Sequence, residues 1–109
     1  MRLQVKGKNV EVTPPIREYA ERKLAKIGKL LAEPTQVELE LSEMRNPSIA
    51  ESSVAEATIF TKGPTLRARE ASPDMKMSID QLVENLQRQV KRYREMRVEE
   101  PRRHAEKGG

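Results

Sequence analysis

Over residues 36–42 apolar and polar side chains alternate without a break, Val37, Leu39 and Leu41 against Glu38, Glu40 and Ser42. A period of two sends the two sets to opposite faces of an extended chain, so residues 36–44 predict a strand with one buried face. A shorter alternation over 2–6, with Leu3 and Val5 inward, predicts another. Residues 53–61 predict a third strand, with Ala55, Ala57 and Ile59 on one side and Val54, Glu56, Thr58 and Phe60 on the other. Lys62-Gly63-Pro64 reads as a hairpin turn. Residues 65–70 then return as a fourth strand, Leu66 and Ala68 inward and Arg67 and Arg69 outward.

Two stretches change to a three-and-four spacing. In the first, Ile16, Ala20, Leu24, Ile27 and Leu31 form a stripe flanked by Tyr19, Lys23 and Leu30, the pattern of one helix face. Thr13 offers a cap, Pro14-Pro15 suit the first turn, and Gly28 lowers helix propensity before Glu33-Pro34 ends the segment. In the second, over 72–97, Met75, Ile79, Leu82, Val83, Leu86, Val90 and Tyr93 share a face. Ser72 is the expected cap, Pro73 the first-turn residue, and Asp74 the acid at the positive end of the dipole. Past Arg97 the periodicity is lost, and Pro101 predicts that the helix does not continue. Gly7-Lys8-Asn9 and Arg45-Asn46-Pro47-Ser48 read as turns.

The order is strand, helix, three strands, helix. A β-α-β opening implies a parallel first pair, and hairpins complete a mixed four-stranded sheet. Both helices would cover its apolar face, giving an α+β two-layer sandwich, β-α-β-β-β-α, with two helices on one face. Residues 1–97 form the expected domain, and 98–109 a flexible tail or the start of a linker.

Charge changes the picture more than composition does. Of 109 residues 35% are charged, and the formal net charge is +4. In the second helix Asp74, Asp80 and Glu84 occupy the first half, while Arg88, Lys91, Arg92, Arg94 and Arg97 crowd the second against Glu95. One or two cations would satisfy a helix C-terminus; five within ten positions suggest a surface for something negative. In the first helix Arg22, Lys26 and Lys29 recur on one face with Lys23 beside them. The outward Glu38 and Glu40 would repel phosphate, so a nucleic acid should avoid that part of the sheet.

The inventory also excludes chemistry. There is no cysteine, which removes disulfides, thiolate catalysis and cysteine-based zinc sites and suits a reducing cytoplasm. The single histidine, His104, sits in the expected tail, and Glu99 and Glu100 lie outside the expected fold. Gly7-Lys8 lacks the spaced glycine and the Ser or Thr of a phosphate loop. No enzyme, cofactor or metal is expected, nor a signal peptide or membrane span. Tyr19, Phe60 and Tyr93 are the whole aromatic supply, too few for a base-stacking sheet. Contacts from Arg and Lys to phosphate and sugar, reading the shape of structured RNA, fit better.

Two long segments carry a resemblance. GKNVEVTPPIREYAERKLAKIGKL and ATIFTKGPTLRAREASPDMKMSIDQLVENLQRQVKRYRE, with Asp74-Met75 and Ile79-Asp80 as the most specific local match, resemble the ribosome hibernation factors. That family includes protein Y and the hibernation-promoting factors. The resemblance implies a fold related to the double-stranded RNA-binding domain. It also implies binding to the small ribosomal subunit, in the cleft used by mRNA and tRNA, which blocks translation while ribosomes are idle. The positions it implies for rRNA contact are Lys23 and Lys26 with Arg88, Lys91 and Arg92, and beside them Arg22, Lys29 and Arg94. Lys76 departs from the family pattern, where an aromatic is frequent, and Pro64 replaces a freer hairpin residue. Long family members carry a linker and a C-terminal domain that pairs ribosomes, so the sequence fits either a short member or the N-terminal part of a long one. The isolated domain is expected to be monomeric and cytoplasmic. Two other readings stand beside this one: a general double-stranded RNA-binding module, or a protein-interaction domain whose exposed sheet face joins Val54 and Phe60 in an apolar patch.

Overall fold

Strand β1 (Arg2–Gly7), helix α1 (Pro14–Leu30), strands β2 (Gln36–Glu43), β3 (Ser53–Phe60) and β4 (Thr65–Ser72), and helix α2 (Met75–Gly108) follow one another in the expected order. The structure, a computed structural model, describes residues 1–31, 35–46 and 48–108, with 97–108 by backbone alone. The expected helix end at Glu33-Pro34 and the Pro47 turn lie outside the described residues, as do the side chains of Arg97, Glu99, Glu100 and His104.

The sheet order is β1-β2-β3-β4. β1 runs parallel to β2, and the other two pairs are antiparallel. A parallel pair needs a crossover, which α1 supplies by returning over one face of the sheet. β4 therefore points the same way as β2, and α2 turns back along it: Asn85 reaches Glu70 while Gln89, four residues later, reaches Arg67. Both helices thus run antiparallel to β2 and parallel to each other.

The inward face of the sheet contributes Val5, Val37, Leu39, Leu41, Ala55, Ala57, Ile59 and Ala68 to one buried cluster. The helices contribute Ala20, Leu24, Ile27 and Leu31, then Ile79, Leu82, Val83, Leu86, Val90 and Tyr93. On the sheet the alanines of β3 and β4 stand beside the larger Val37, Leu39 and Leu41 of β2, and this variation in size lets the layers interdigitate. Among the described residues no helix is long and apolar enough to cross a membrane.

Polar locks fix the ends. Asn9 continues the sheet past β1 with its side chain: Nδ2 donates to the Glu43 carbonyl at 2.6 Å and Oδ1 accepts from the Glu43 N–H at 2.8 Å. Gly7 lets this turn close, because a Cβ there would lie 2.1 Å from the Val10 carbonyl oxygen. At the start of α2, Ser78, fully buried, donates to the Ser53 carbonyl at 2.6 Å. The Ser72 hydroxyl in turn has Ser78 Oγ at 2.7 Å and the Asp74 carbonyl at 2.6 Å. This trio ties the first turn of α2 to the ends of β3 and β4.

Four expectations need correction. The cap of α2 is Asp74, whose Oδ2 accepts from the Met77 N–H at 3.1 Å; Ser72 instead ends β4. Thr13 stands at the start of α1 but makes no cap bond with its side chain. Val54 is buried, only 3% exposed, and lies six residues from Phe60, roughly 20 Å along the strand, so the two form no joint patch. Helix α2 also does not stop at Pro101 but carries on to Gly108. A proline inside a helix forfeits one hydrogen bond and crowds the carbonyl four residues earlier, here Arg97, without obliging the chain to leave the helix.

Candidate nucleic-acid interface

The two parallel helices meet at a polar seam. Tyr19 on α1 donates its hydroxyl to Asp80 Oδ1 on α2 at 2.6 Å, and Lys23 Nζ lies 3.6 Å from the same oxygen. The hydrogen bond to Asp80, then burial and the negative charge of Asp80, raise the Tyr19 pKa above its ordinary value, with Arg22 opposing. Three cations surround the ring: Arg22 at 5.6 Å from its centroid, and Lys23 and Lys76 each at 5.4 Å. Such distances are within cation–π range. Asp80 is therefore more than an acid at a helix start. It joins the helices and balances part of a cationic cluster.

This seam sets the height of one helix against the other. Tyr19 is level with Asp80, and both helices rise about 1.5 Å per residue in the same direction, so Lys26 and Lys29 come alongside the turn of α2 that carries Arg88 and Lys91. Arg22, Lys26, Lys29, Arg88 and Lys91 are all exposed. They share the outer surface of the helix layer, interrupted by Glu84 four residues before Arg88.

The remaining expected residues are placed differently. Lys23 is half-buried and held against Asp80. Arg92 lies on the flank of α2 away from α1, beside Lys62 and Leu66 of the hairpin. Arg94 comes one turn after Lys91, beyond the level at which α1 ends at Leu30. Tyr19, Asp80 and Lys76 were not in the expected set. In the sequence Asp80 is part of the family match and Lys76 a departure from it; the i,i+4 spacing of Tyr19 with Lys23 and of Lys76 with Asp80 does not reveal that the two pairs face each other.

The opposite face of the sheet carries both signs. Its register aligns Lys6, Glu40, Glu56 and Arg69 in one row across the four strands. Lys6 Nζ stands 4.0 Å from Glu40 Oε2. In the next row Glu38 and Arg67 flank Thr58. Arg67 and Arg69 thus point outward as expected, but into a surface that the glutamates compensate. Among the described residues no group of three or more His, Asp or Glu side chains is arranged to hold a metal ion.

The sequence model of the Sigma 54 modulation protein / S30EA ribosomal protein family matches residues 3–98. The chain belongs to that family. It is 35% identical to a ribosome hibernation promotion factor of Picosynechococcus over 96 residues, 87% of this chain and 50% of that protein. It is 30% identical to the ribosome hibernation promoting factor of Salmonella typhimurium over 95 residues, 87% of this chain and 95% of that protein. The chain thus spans about half the length of some curated relatives and nearly all of another. Among solved structures, the N-terminal domain of Thermus thermophilus protein Y superposes with a TM-score of 0.75 at 30% identity, covering 85% of this chain and 99% of that one. A ribosomal subunit interface protein from Coxiella burnetii shares the fold, with a TM-score of 0.72 at 23% identity over 86% of this chain and 98% of that one.

Within this family frame, the two departures noted in the sequence have structural counterparts. Lys76 contributes its amino group to the Tyr19 cluster. The hairpin with Pro64 is closed by Thr61, whose hydroxyl donates to the Pro64 carbonyl at 2.6 Å and accepts from the Gly63 N–H at 3.0 Å.

Proposed function

We propose that this chain is the ribosome-binding part of a hibernation factor. It occupies the mRNA and tRNA cleft of the small subunit through the outer surface of α1 and α2 and blocks translation on idle ribosomes in the cytoplasm. The observation that carries this reading is the one-sided charge: parallel helices gather Arg22, Lys26, Lys29, Arg88 and Lys91 on one surface, while the sheet face mixes its cations with Glu38, Glu40 and Glu56. Lys23, Arg92 and Arg94 flank that surface and take secondary roles. The names of the relatives, ribosome hibernation promotion factors, support the same reading. The role is binding without catalysis, and it requires no cofactor. Residues 1–97 are the proposed binding domain, acting as a monomer, and 98–109 lead away from it.

Co-sedimentation with purified small subunits tests the proposal. Binding at low salt that weakens steeply as salt rises is the expected result. Changing Arg88, Lys91 and Arg92 together to Glu should abolish it while thermal unfolding stays as in the parent. No binding even at low salt would remove the reading. The fold and the basic helix layer also suit a general double-stranded RNA-binding module, and efficient competition by free duplex RNA would favour that alternative. The protein-interaction reading loses its basis with the burial of Val54.

A further inference from the structure

The flank of α2 that faces away from α1 is not smooth. A pocket of about 500 Å³ opens between this flank and the β3–β4 hairpin. Pro64 and Leu66 from the hairpin and Tyr93 and Met96 from α2 give it an apolar floor. Met96 is 51% exposed, an unbranched thioether that adapts to flat partners. A second hollow adjoins it, lined by Asn85, Arg88, Gln89 and Arg92, and Gln89 and Arg92 border both. Through Arg92 and Arg88 the pocket is therefore continuous with the cationic helix surface.

One polar group in it is fixed by a chain of hydrogen bonds. Asn85 Nδ2 donates to Glu70 Oε2 at 2.8 Å. Gln89 Nε2 donates both to Asn85 Oδ1 and to the Arg67 carbonyl, each at 2.8 Å. Both Gln89 partners can only accept, so the amide has one orientation and its two hydrogens are engaged. What Gln89 has left to offer is Oε1, an acceptor.

An apolar floor, one fixed acceptor and a guanidinium at the rim match a nucleotide. A base would cover Met96 and Leu66, an N–H on its edge would donate to Oε1, and its phosphate would meet Arg92. An acidic peptide with an apolar anchor would match floor and rim, but continuity with the cationic surface favours RNA. We propose that this pocket takes an unpaired nucleotide of the RNA that lies on the helices, and that Gln89 Oε1 accepts a hydrogen bond from the edge of its base. The proposal deepens the function proposed above and rests on it.

The test is NMR on protein labelled at the methionine methyls and backbone amides, titrated with single-stranded tetramers of adenylate and of uridylate. Both tetramers should shift the Met96 methyl and the Gly63 amide. Met96→Ala should weaken adenylate roughly tenfold, the scale of one lost base contact, without changing the salt slope. Shifts at Lys26 and Arg88 with none at Met96 or Gly63 would overturn the pocket and leave the helix surface as the RNA site. Unchanged adenylate affinity in Gln89→Leu would overturn the role of Gln89. Absence of any shift, together with absence of ribosome binding, would sink both readings. A Glu-rich, leucine-containing peptide that moves Met96 where RNA does not would assign the pocket to a protein ligand and overturn the proposal.

Discussion

Arg22, Lys26, Lys29, Arg88 and Lys91, five cations, share the outer surface of the helix layer, whereas Lys23 is held by Asp80 and Arg69 stands opposite Glu56. Each phosphate that a cation neutralises releases counterions, and the logarithm of affinity falls with the logarithm of salt by about 0.7 to 0.9 per contact. If all five reach phosphates, the slope is about −3.5 to −4.5, and a fourfold rise in salt weakens binding roughly a hundred- to five-hundredfold. Arg88→Gln combined with Lys91→Gln should make the slope shallower by about 1.4 to 1.8. Arg67→Gln combined with Arg69→Gln removes the same charge from the other face and should leave the slope unchanged. Lys23→Gln should change it by less than one full contact, since its charge is already partly spent on Asp80. The assay is equilibrium binding to purified small subunits over a salt series from about 50 to 200 mM, a range in which this effect is large. Equal loss of slope in the helix and sheet variants would refute the argument, because net charge and not its arrangement would then govern binding.

Other expectations concern the fold. Gly7→Ala drives a Cβ onto the Val10 carbonyl, a backbone atom that cannot rotate away, and should cost about 1–3 kcal/mol in urea unfolding. Gly28→Ala brings a Cβ to 3.1 Å from the Cβ of the exposed terminal residue Met1 and should stabilise by up to about 1 kcal/mol through helix propensity once Met1 shifts aside, visible as a higher midpoint; a lower one would show that Met1 is held in place. Ser78→Ala takes the hydroxyl donor from the Ser53 carbonyl, while Ser72 keeps its bond to the Asp74 carbonyl, and should cost about 1–3 kcal/mol; an unchanged midpoint would show that the carbonyl finds another partner. Tyr19 gains its proton-holding interaction on folding, so its folded pKa lies above the unfolded value of 10.0. Its contribution is then complete below pH 10 and is lost as pH rises through the folded pKa. Asp80→Asn should lower that pKa, read from phenolate absorbance, and an unaltered titration would refute the assignment.

Local periodicity made much of this architecture legible. The alternation of Val37, Leu39 and Leu41 and the stripe from Ile79 to Tyr93 each follow from the geometry of a single element, and each is buried as the pattern requires. The basic faces were legible for the same reason. The seam was not: Tyr19 and Asp80 are 61 residues apart, and neither helix alone indicates which side meets the other. Asn9 bonds to Glu43 across 34 residues, so a residue that reads as part of a turn proves to extend the sheet. The shift of the α2 cap from Ser72 to Asp74 has a tertiary cause as well, since Ser72 is drawn into the buried trio with Ser78 and Ser53. The resemblance grouped Arg92 with Arg88 and Lys91, but the single step from Lys91 turns the helix by about 100°, so Arg92 stands on the flank away from α1, one turn after Arg88.

The row Lys6, Glu40, Glu56, Arg69 has a consequence for stoichiometry. A domain cationic on both sides would bridge two polyanions and, at high concentration, gather them into networks. Here the back of the molecule is close to balanced, with Arg2, Lys6, Arg67 and Arg69 against Glu38, Glu40 and Glu56, so a polyanion held on the helices has no comparable counterpart behind. The domain is monovalent: titrated onto its target it should saturate at one copy per site and leave the complexes separate, and any joining of two such complexes must come from outside this fold.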